Sequence, residues 1–154
     1  MPAYFAYGSN MNLEGMEEMC PGSRPLRIAT LHDYLLAFRY PSTTWPGGGA
    51  CDIVRCKGSL VWGVLFEVSE ADLQTLDDYE DVAQGGYRRL PVAVDSEGFL
   101  HNAISYEVVE KLPRNLRPTE RYLDLVIAGA EQNGLPRGYI ESVRRLAASS
   151  HAPN

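Results

Sequence analysis

Near its start the chain runs Tyr4-Phe5-Ala6-Tyr7 straight into Gly8-Ser9-Asn10. The apolar, aromatic half predicts a short buried strand. The Gly-Ser-Asn half predicts a tight turn. Glycine at position 8 has access to backbone conformations barred to other residues, and it lets a ligand approach the main chain closely. Ser9 and Asn10 are residues that bond local backbone groups or cap a helix, and the stretch from Met11 to Met19 predicts a short helix. A strand feeding such a turn leaves backbone N–H groups unpaired and pointing outward, where they bind carboxylates or oxyanions. An ordinary strand-to-helix turn has the same local pattern, so the rest of the chain decides between the two.

A chain of 154 residues is long enough for one core and short for two. One domain is expected over residues 1–150, with 151–154 as a frayed tail. Apolar residues make up 45% of the chain, which predicts a globular rather than a disordered protein. Net charge is 14 − 20 = −6 with no basic cluster. That argues against nucleic acid and against an anionic membrane as partner. No apolar run is long enough to span a bilayer. The first strand begins without a basic segment or signal-peptide core, so a cytoplasmic protein is expected. Cys20, Cys51 and Cys56 are odd in number, and the four residues between the last two are not the usual zinc spacing. Reduced structural thiols are expected. His32, His101 and His151 are scattered, and no metal site is expected from them.

Leu26 to Leu31 and Tyr34 to Arg39 read as two strands broken at His32-Asp33, together a hairpin. Residues 41 to 49, with two prolines and three consecutive glycines, read as a long loop of the kind that borders sites. Trp45 within it suits either a lid or simple loop packing. Ala50 to Arg55 and Ser59 to Val68 read as strands separated by a turn at Lys57-Gly58. Gly63 inside the second suggests a bend or a close backbone approach, as a barrel strand requires. Tyr87 to Val94 and His101 to Val109 read as strands joined by a hairpin turn at Ser96-Glu97-Gly98, with Pro91 pointing to a sheet edge. Thr119 caps a helix that ends at Gly134, and Pro136 opens a last helix.

Between the strands lies Ser69 to Glu80, where Ser69 and Asp72 resemble a capping box. Leu73 and Leu76 set the buried stripe of this helix. Glu80 falls four residues beyond Leu76, on the same face. Burial there, and the negative end of the helix dipole, would both push its pKa upward. A carboxyl with a raised pKa suits general acid/base work near neutral pH. Periodicity alone leaves open a solvated acid at the end of an acidic helix. Tyr122 shares the inward face of the helix after Thr119 with Leu125, Val126 and Gly129, and its hydroxyl requires a partner.

Three pieces thus lie in order: Tyr4-Phe5-Ala6-Tyr7-Gly8-Ser9-Asn10; Leu76 to Glu80 followed by Gly86-Tyr87-Arg88; and Pro118 to Tyr122 followed by Gly129-Ala130 and Gly134-Leu135-Pro136. In these the chain resembles the γ-glutamylcyclotransferase family, which includes the γ-glutamylamine cyclotransferases and the plant AIG2-like proteins. Ala37-Phe38 and Gly48-Gly49-Ala50 agree, and the resemblance covers nearly the whole chain. It implies an α+β fold, a small mixed β-barrel flanked by helices. It implies release of 5-oxoproline and a free amine from a small-molecule γ-glutamyl substrate. It also implies that Glu80 is the catalytic acid/base, and that Tyr4, Phe5, Ala6, Tyr7, Gly8, Ser9, Asn10 and Tyr122 bind substrate. Asp81 departs from the family pattern, where many members have glycine; it adds a charge and removes backbone freedom.

That chemistry suits the residues. The substrate carries its own nucleophile, its α-amine, so no Ser or Cys nucleophile is required. One carboxyl can take the proton from the attacking amine and give it to the leaving nitrogen. Amides around Gly8 and Ser9 suit either the substrate carboxylate or the tetrahedral oxyanion. No metal or organic cofactor is required. The leaving amine is not legible in the sequence, so a γ-glutamylamine or other γ-glutamyl-metabolite cyclotransferase is the alternative reading. A non-enzymatic binding protein on the same fold is a further alternative, against which Glu80 argues. Oligomeric state, a homodimer included, is equally illegible.

Overall fold

The computed structural model describes residues 1–153. Five strands close into a barrel in the order β1 (Ala3–Ala6), β3 (Gly49–Glu67), β2 (Arg24–Pro41), β4 (Tyr87–Ser96) and β5 (Phe99–Val108). Four helices accompany them: α1 (Leu13–Met19), α2 (Glu70–Tyr79), α3 (Glu120–Gln132) and α4 (Arg137–Ser149). The sheet is antiparallel except where β1 meets β5 in parallel, at Tyr4 and Ile104. The mixed barrel with flanking helices is the architecture expected from the sequence.

The two halves of the expected hairpins are not separate strands. β2 and β3 each run unbroken through the residues that read as turns, and they pair from Arg24 with Glu67 to Pro41 with Gly49. The hairpin's turn is instead the loop at 42–48. His32-Asp33 is an irregularity within β2: pairing stops at His32 with Leu60 and resumes at Tyr34 with Arg55. Asp33 takes a left-handed φ of 65°, and its carboxylate accepts the N–H of Gly58 at 3.0 Å. The local chemistry of a bulge and of a turn is the same, Asp and Gly at unusual φ. Only the facing strand tells them apart. The β4–β5 turn is as expected, with Glu97 and Gly98 both at positive φ, the conformation favoured in two-residue hairpin loops. Among the described residues β4 pairs with β2 only at Thr30 and Asp95, with Ser96 Oγ donating to Ile28 O beside them, so the ladder is thin where the barrel closes and Pro91 faces no ladder on that side.

Ser69 and Asp72 form a reciprocal capping box, each side chain accepting the other's backbone N–H, and this starts α2. Leu73 and Leu76 are its buried residues. α3 starts at the Thr119 cap and packs against the turn after β1. A Cβ on Gly129 would stand 2.5 Å from the backbone N of Asn12, so only glycine permits this approach. Asn133 Nδ2 donates to Met11 O at 2.9 Å, and Leu13 N donates to Gln132 Oε1 at 2.9 Å. These contacts hold the segment after β1 against α3. His151, read as the start of a frayed tail, bridges to Leu116, its N–H donating to Asn115 O at 3.0 Å. Asn154, the last residue of that tail, lies outside the described residues. Among the described residues no helix is long and apolar enough to cross a membrane.

Candidate active site

One end of the barrel carries a pocket to which nearly every element contributes. β1 ends there with Tyr4 and Tyr7, the first loop brings Gly8, Ser9 and Asn10, and α2 ends there with Tyr79, Glu80 and Asp81. β2 and the 42–48 loop add Tyr40 and Ser42 to Trp45, and β3 adds Ala50 and Cys51. Tyr87, Tyr106 and Tyr122 complete the wall. Seven of the chain's nine tyrosines therefore face one cavity, and no Lys or Arg lines it. Its charged groups are the two carboxyls of Glu80 and Asp81. An anionic group entering it must be met by amides and hydroxyls.

Glu80 caps the C-terminal end of α2, its N–H donating to Leu76 O at 2.9 Å. The residue keeps some exposure through the pocket mouth, yet its carboxyl is enclosed. Desolvation pushes its pKa up from the ordinary carboxylate value to about 8, and the neighbouring Asp81 charge is the second cause. Asn10 Nδ2 donates to Tyr4 Oη at 2.9 Å and reaches Glu80 Oε1 at 3.4 Å. Tyr4 and Tyr7 are themselves held far above the ordinary phenol range, first by burial, and remain neutral.

The Gly8-Ser9-Asn10 segment forms a single turn of 3-10 helix over Ser9–Met11 before α1 begins. Met11 N and Asn12 N donate back to Gly8 O and Ser9 O, whereas the amides of Gly8, Ser9 and Asn10 find no acceptor among the described residues. The α1 cap is Asn12, not Ser9 or Asn10: its side chain accepts Gly15 N at 3.0 Å. Gly8 is not left-handed, having φ −121°. The fit around it is close: a Cβ would stand 3.0 Å from Cys51 Cβ, so a larger residue there would make its neighbours give way.

Of the residues expected to bind substrate, Tyr4, Tyr7, Gly8, Ser9, Asn10 and Tyr122 line the pocket with Glu80. Phe5 and Ala6 do not. Both are buried in the core, with Phe5 O accepting from Ser105 Oγ at 2.8 Å and Ala6 paired with Val64. Their position in a barrel strand commits their backbone to neighbouring strands and their side chains to packing. Tyr122 accepts the Cys51 N–H at 2.9 Å, and Tyr87 donates to Cys51 O at 2.6 Å. Tyr7 donates to Tyr106 O at 2.6 Å. These hydroxyls brace the rim from within. Cys51 is buried, its thiol pushed up to about 12 by burial, and at that value it is no nucleophile.

Sequence reasoning missed Tyr40, Ser42, Thr43, Thr44, Tyr79, Cys51 and Tyr106 as parts of this wall. The 41–49 loop carried a signal, its Gly and Pro run. The tyrosines carried none, since a pocket-facing and a core-facing ring look alike in a strand pattern. Trp45 does line the pocket, with the Arg121 guanidinium 5.0 Å above its ring. Among the described residues no three His, Cys, Asp or Glu side chains gather as metal ligands would.

The AIG2-like family model matches residues 60–143. Over 150 residues the chain is 34% identical to a γ-glutamylcyclotransferase of Bos taurus, covering 93% of this chain and 77% of that protein. It is equally identical, with the same coverage, to a γ-glutamylcyclotransferase of Homo sapiens. A solved structure described as γ-glutamyl cyclotransferase superposes with a TM-score of 0.88 at 30% identity, covering 99% of this chain and 89% of that one.

Proposed function

We propose, on the premise that the chain belongs to the γ-glutamylcyclotransferase family, that Glu80 carries the proton in an intramolecular cyclisation of a γ-glutamyl substrate. The protein is a cyclotransferase. The reaction joins the substrate's α-amine to its own γ-carbonyl and releases the amine that the carbonyl held, leaving 5-oxoproline. The observation that carries the reading is one enclosed carboxyl, raised to about 8, in the wall of a pocket lined otherwise mainly by neutral groups.

Each step uses a group already in the pocket. As carboxylate, Glu80 accepts a proton from the attacking α-amine. As acid, it returns a proton to the leaving nitrogen when the tetrahedral intermediate collapses. A pKa near the working pH makes both transfers accessible to one group. Asn10, donating toward Glu80 and Tyr4, fixes the carboxyl's orientation. The free amides of Gly8, Ser9 and Asn10 are suited to a carboxylate or an oxyanion, in a cavity without cations. The tyrosine wall holds the glutamyl arm folded, and a folded arm brings amine and carbonyl together at high effective concentration.

The test is 5-oxoproline release, measured by mass spectrometry, from γ-glutamyl dipeptides, γ-glutamyl-ε-lysine and glutathione. The native protein is expected to release it from at least one of these, and the class that reacts names the leaving group. Glu80→Gln, nearly isosteric, is expected to fold and to lose about 10²–10⁴ in kcat. Full turnover by a folded Glu80→Gln protein removes Glu80 from the reaction.

A further inference from the structure

Asp81 comes directly after Glu80 at the pocket mouth, and its side chain does not point to open water. Its Oδ2 accepts the Tyr40 hydroxyl at 3.1 Å and the Thr43 hydroxyl at 3.1 Å. One carboxylate thus ties the end of β2 and the 42–48 loop to the residue beside the proton carrier. The backbone of Asp81 is built for this. It sits at φ 55°, in the left-handed region, where Asp is one of the few non-glycine residues tolerated. Its carbonyl accepts from Gly86 N at 2.9 Å and Gln84 N at 3.1 Å, which closes the turn after α2.

The space around the tie is also specific. A Cβ on Gly86 would stand 2.6 Å from the Tyr40 hydroxyl and 2.9 Å from Asp81 Cβ. The Tyr40 ring packs edge-on to Tyr87 with centroids 4.9 Å apart. The loop so held is itself folded, with Ser42 N donating to Gly48 O at 2.9 Å and Trp45 N to Ser42 Oγ at 2.8 Å. It faces the cavity with Ser42, Thr44 and Trp45. Trp45 Nε1 is buried there with no hydrogen-bond partner among the described residues.

We infer that Asp81 is a positioning residue of the cyclotransferase reaction: through Tyr40 and Thr43 its carboxylate latches the 42–48 loop as the outer wall of the substrate pocket. The inference rests on the reading of this pocket as the γ-glutamyl site. The latch acts on substrate retention, because the wall contacts what is bound, whereas the proton carrier remains at the end of α2.

Two measurements test it on the intact protein: amide hydrogen exchange of residues 42–48, and kcat and KM for 5-oxoproline release. Asp81→Gly keeps the left-handed backbone and removes the carboxylate, so it folds without strain. It is expected to exchange faster across 42–48 and to raise KM about tenfold, with a smaller fall in kcat. Asp81→Asn retains both an acceptor oxygen and tolerance of left-handed φ, and is expected to recover most of the protection and of the KM. The double variant Tyr40→Phe/Thr43→Val removes the donors instead and is expected to reproduce Asp81→Gly. Unchanged exchange across 42–48 in both Asp81→Gly and the double variant overturns the latch. Faster exchange with KM unmoved overturns its role in substrate retention. Absence of 5-oxoproline release by the native protein instead overturns the functional reading, and the exchange result then judges the latch alone.

Discussion

Asn10 Nδ2 stands 3.4 Å from Glu80 Oε1, joining residues seventy positions apart in the chain. The same nitrogen donates to Tyr4 Oη at 2.9 Å, so one carboxamide orients both the acid and a neighbouring phenol. The first loop and the end of α2, each ordinary as a sequence, become one site through this contact.

Asn10→Ala removes the group that orients Glu80. Without it the carboxyl keeps its burial but loses a donor, and its rotamer is no longer held. A fall in kcat of about 10–100-fold is expected, with a smaller change in KM. Steady-state kinetics of 5-oxoproline release checks it, with circular dichroism to confirm the fold.

Glu80 also makes stability depend on pH, with a definite sign. Its pKa is raised from 4.5 to about 8 in the folded protein. The folded state therefore binds the proton more tightly than the unfolded chain. Its favourable contribution is present below the unfolded value and is lost as pH rises through the folded one. Glu80→Gln, which never ionises, is expected to melt above the native protein at pH 9 by about 10 °C and near it at pH 4. Thermal melts of the two proteins across that range decide it. A native protein no less stable than Glu80→Gln at pH 9 contradicts the raised pKa.

The rate has a related signature. In the proposed reaction Glu80 must be ionised to accept the first proton, so kcat/KM is expected to climb with pH along an acid limb centred near 8 rather than near 4.5. A limb at ordinary carboxylate pH assigns the proton transfer to another group.

Tyr122→Phe separates bracing from substrate contact. The phenol oxygen accepts the buried Cys51 N–H at 2.9 Å. Its loss is expected to destabilise the fold by about 1–3 kcal/mol, read from urea unfolding. A large kinetic defect without a stability change shifts the residue's part toward substrate.

Lys111 holds a second buried charge. Its ammonium donates to both oxygens of Asp52, at 3.0 and 2.9 Å, and to the carbonyls of Ile53 and Val108. Asp52 is fully buried and also accepts Val108 N at 2.9 Å, clamping β3 to β5 next to Cys51. Burial raises the pKa of Asp52, with the Val108 amide and Lys111 opposing it. Lys111→Met leaves the carboxyl without its cation, and a loss of about 3–5 kcal/mol in unfolding free energy is expected. Urea unfolding at neutral pH measures it.

What the sequence determined by itself was local. The capping box at Ser69 and Asp72, the Thr119 cap, the Glu97-Gly98 turn and the strand-to-turn start at Tyr4 to Asn10 are patterns of neighbouring residues, and each folds as its own chemistry dictates. The helical spacing from Leu76 to Glu80 likewise aimed one carboxyl inward. Tertiary structure decided the rest, because it concerns groups distant in the chain. Asp33 and Gly58 became a bulge instead of two turns only because β2 and β3 face each other there. Phe5 and Ala6 left the site for the core because neighbouring strands claimed their backbone. Asp81, which in sequence merely adds a charge beside Glu80, found Tyr40 and Thr43 about forty residues back. A side chain's partners across a closed barrel depend on register and closure. No window of neighbouring residues contains either.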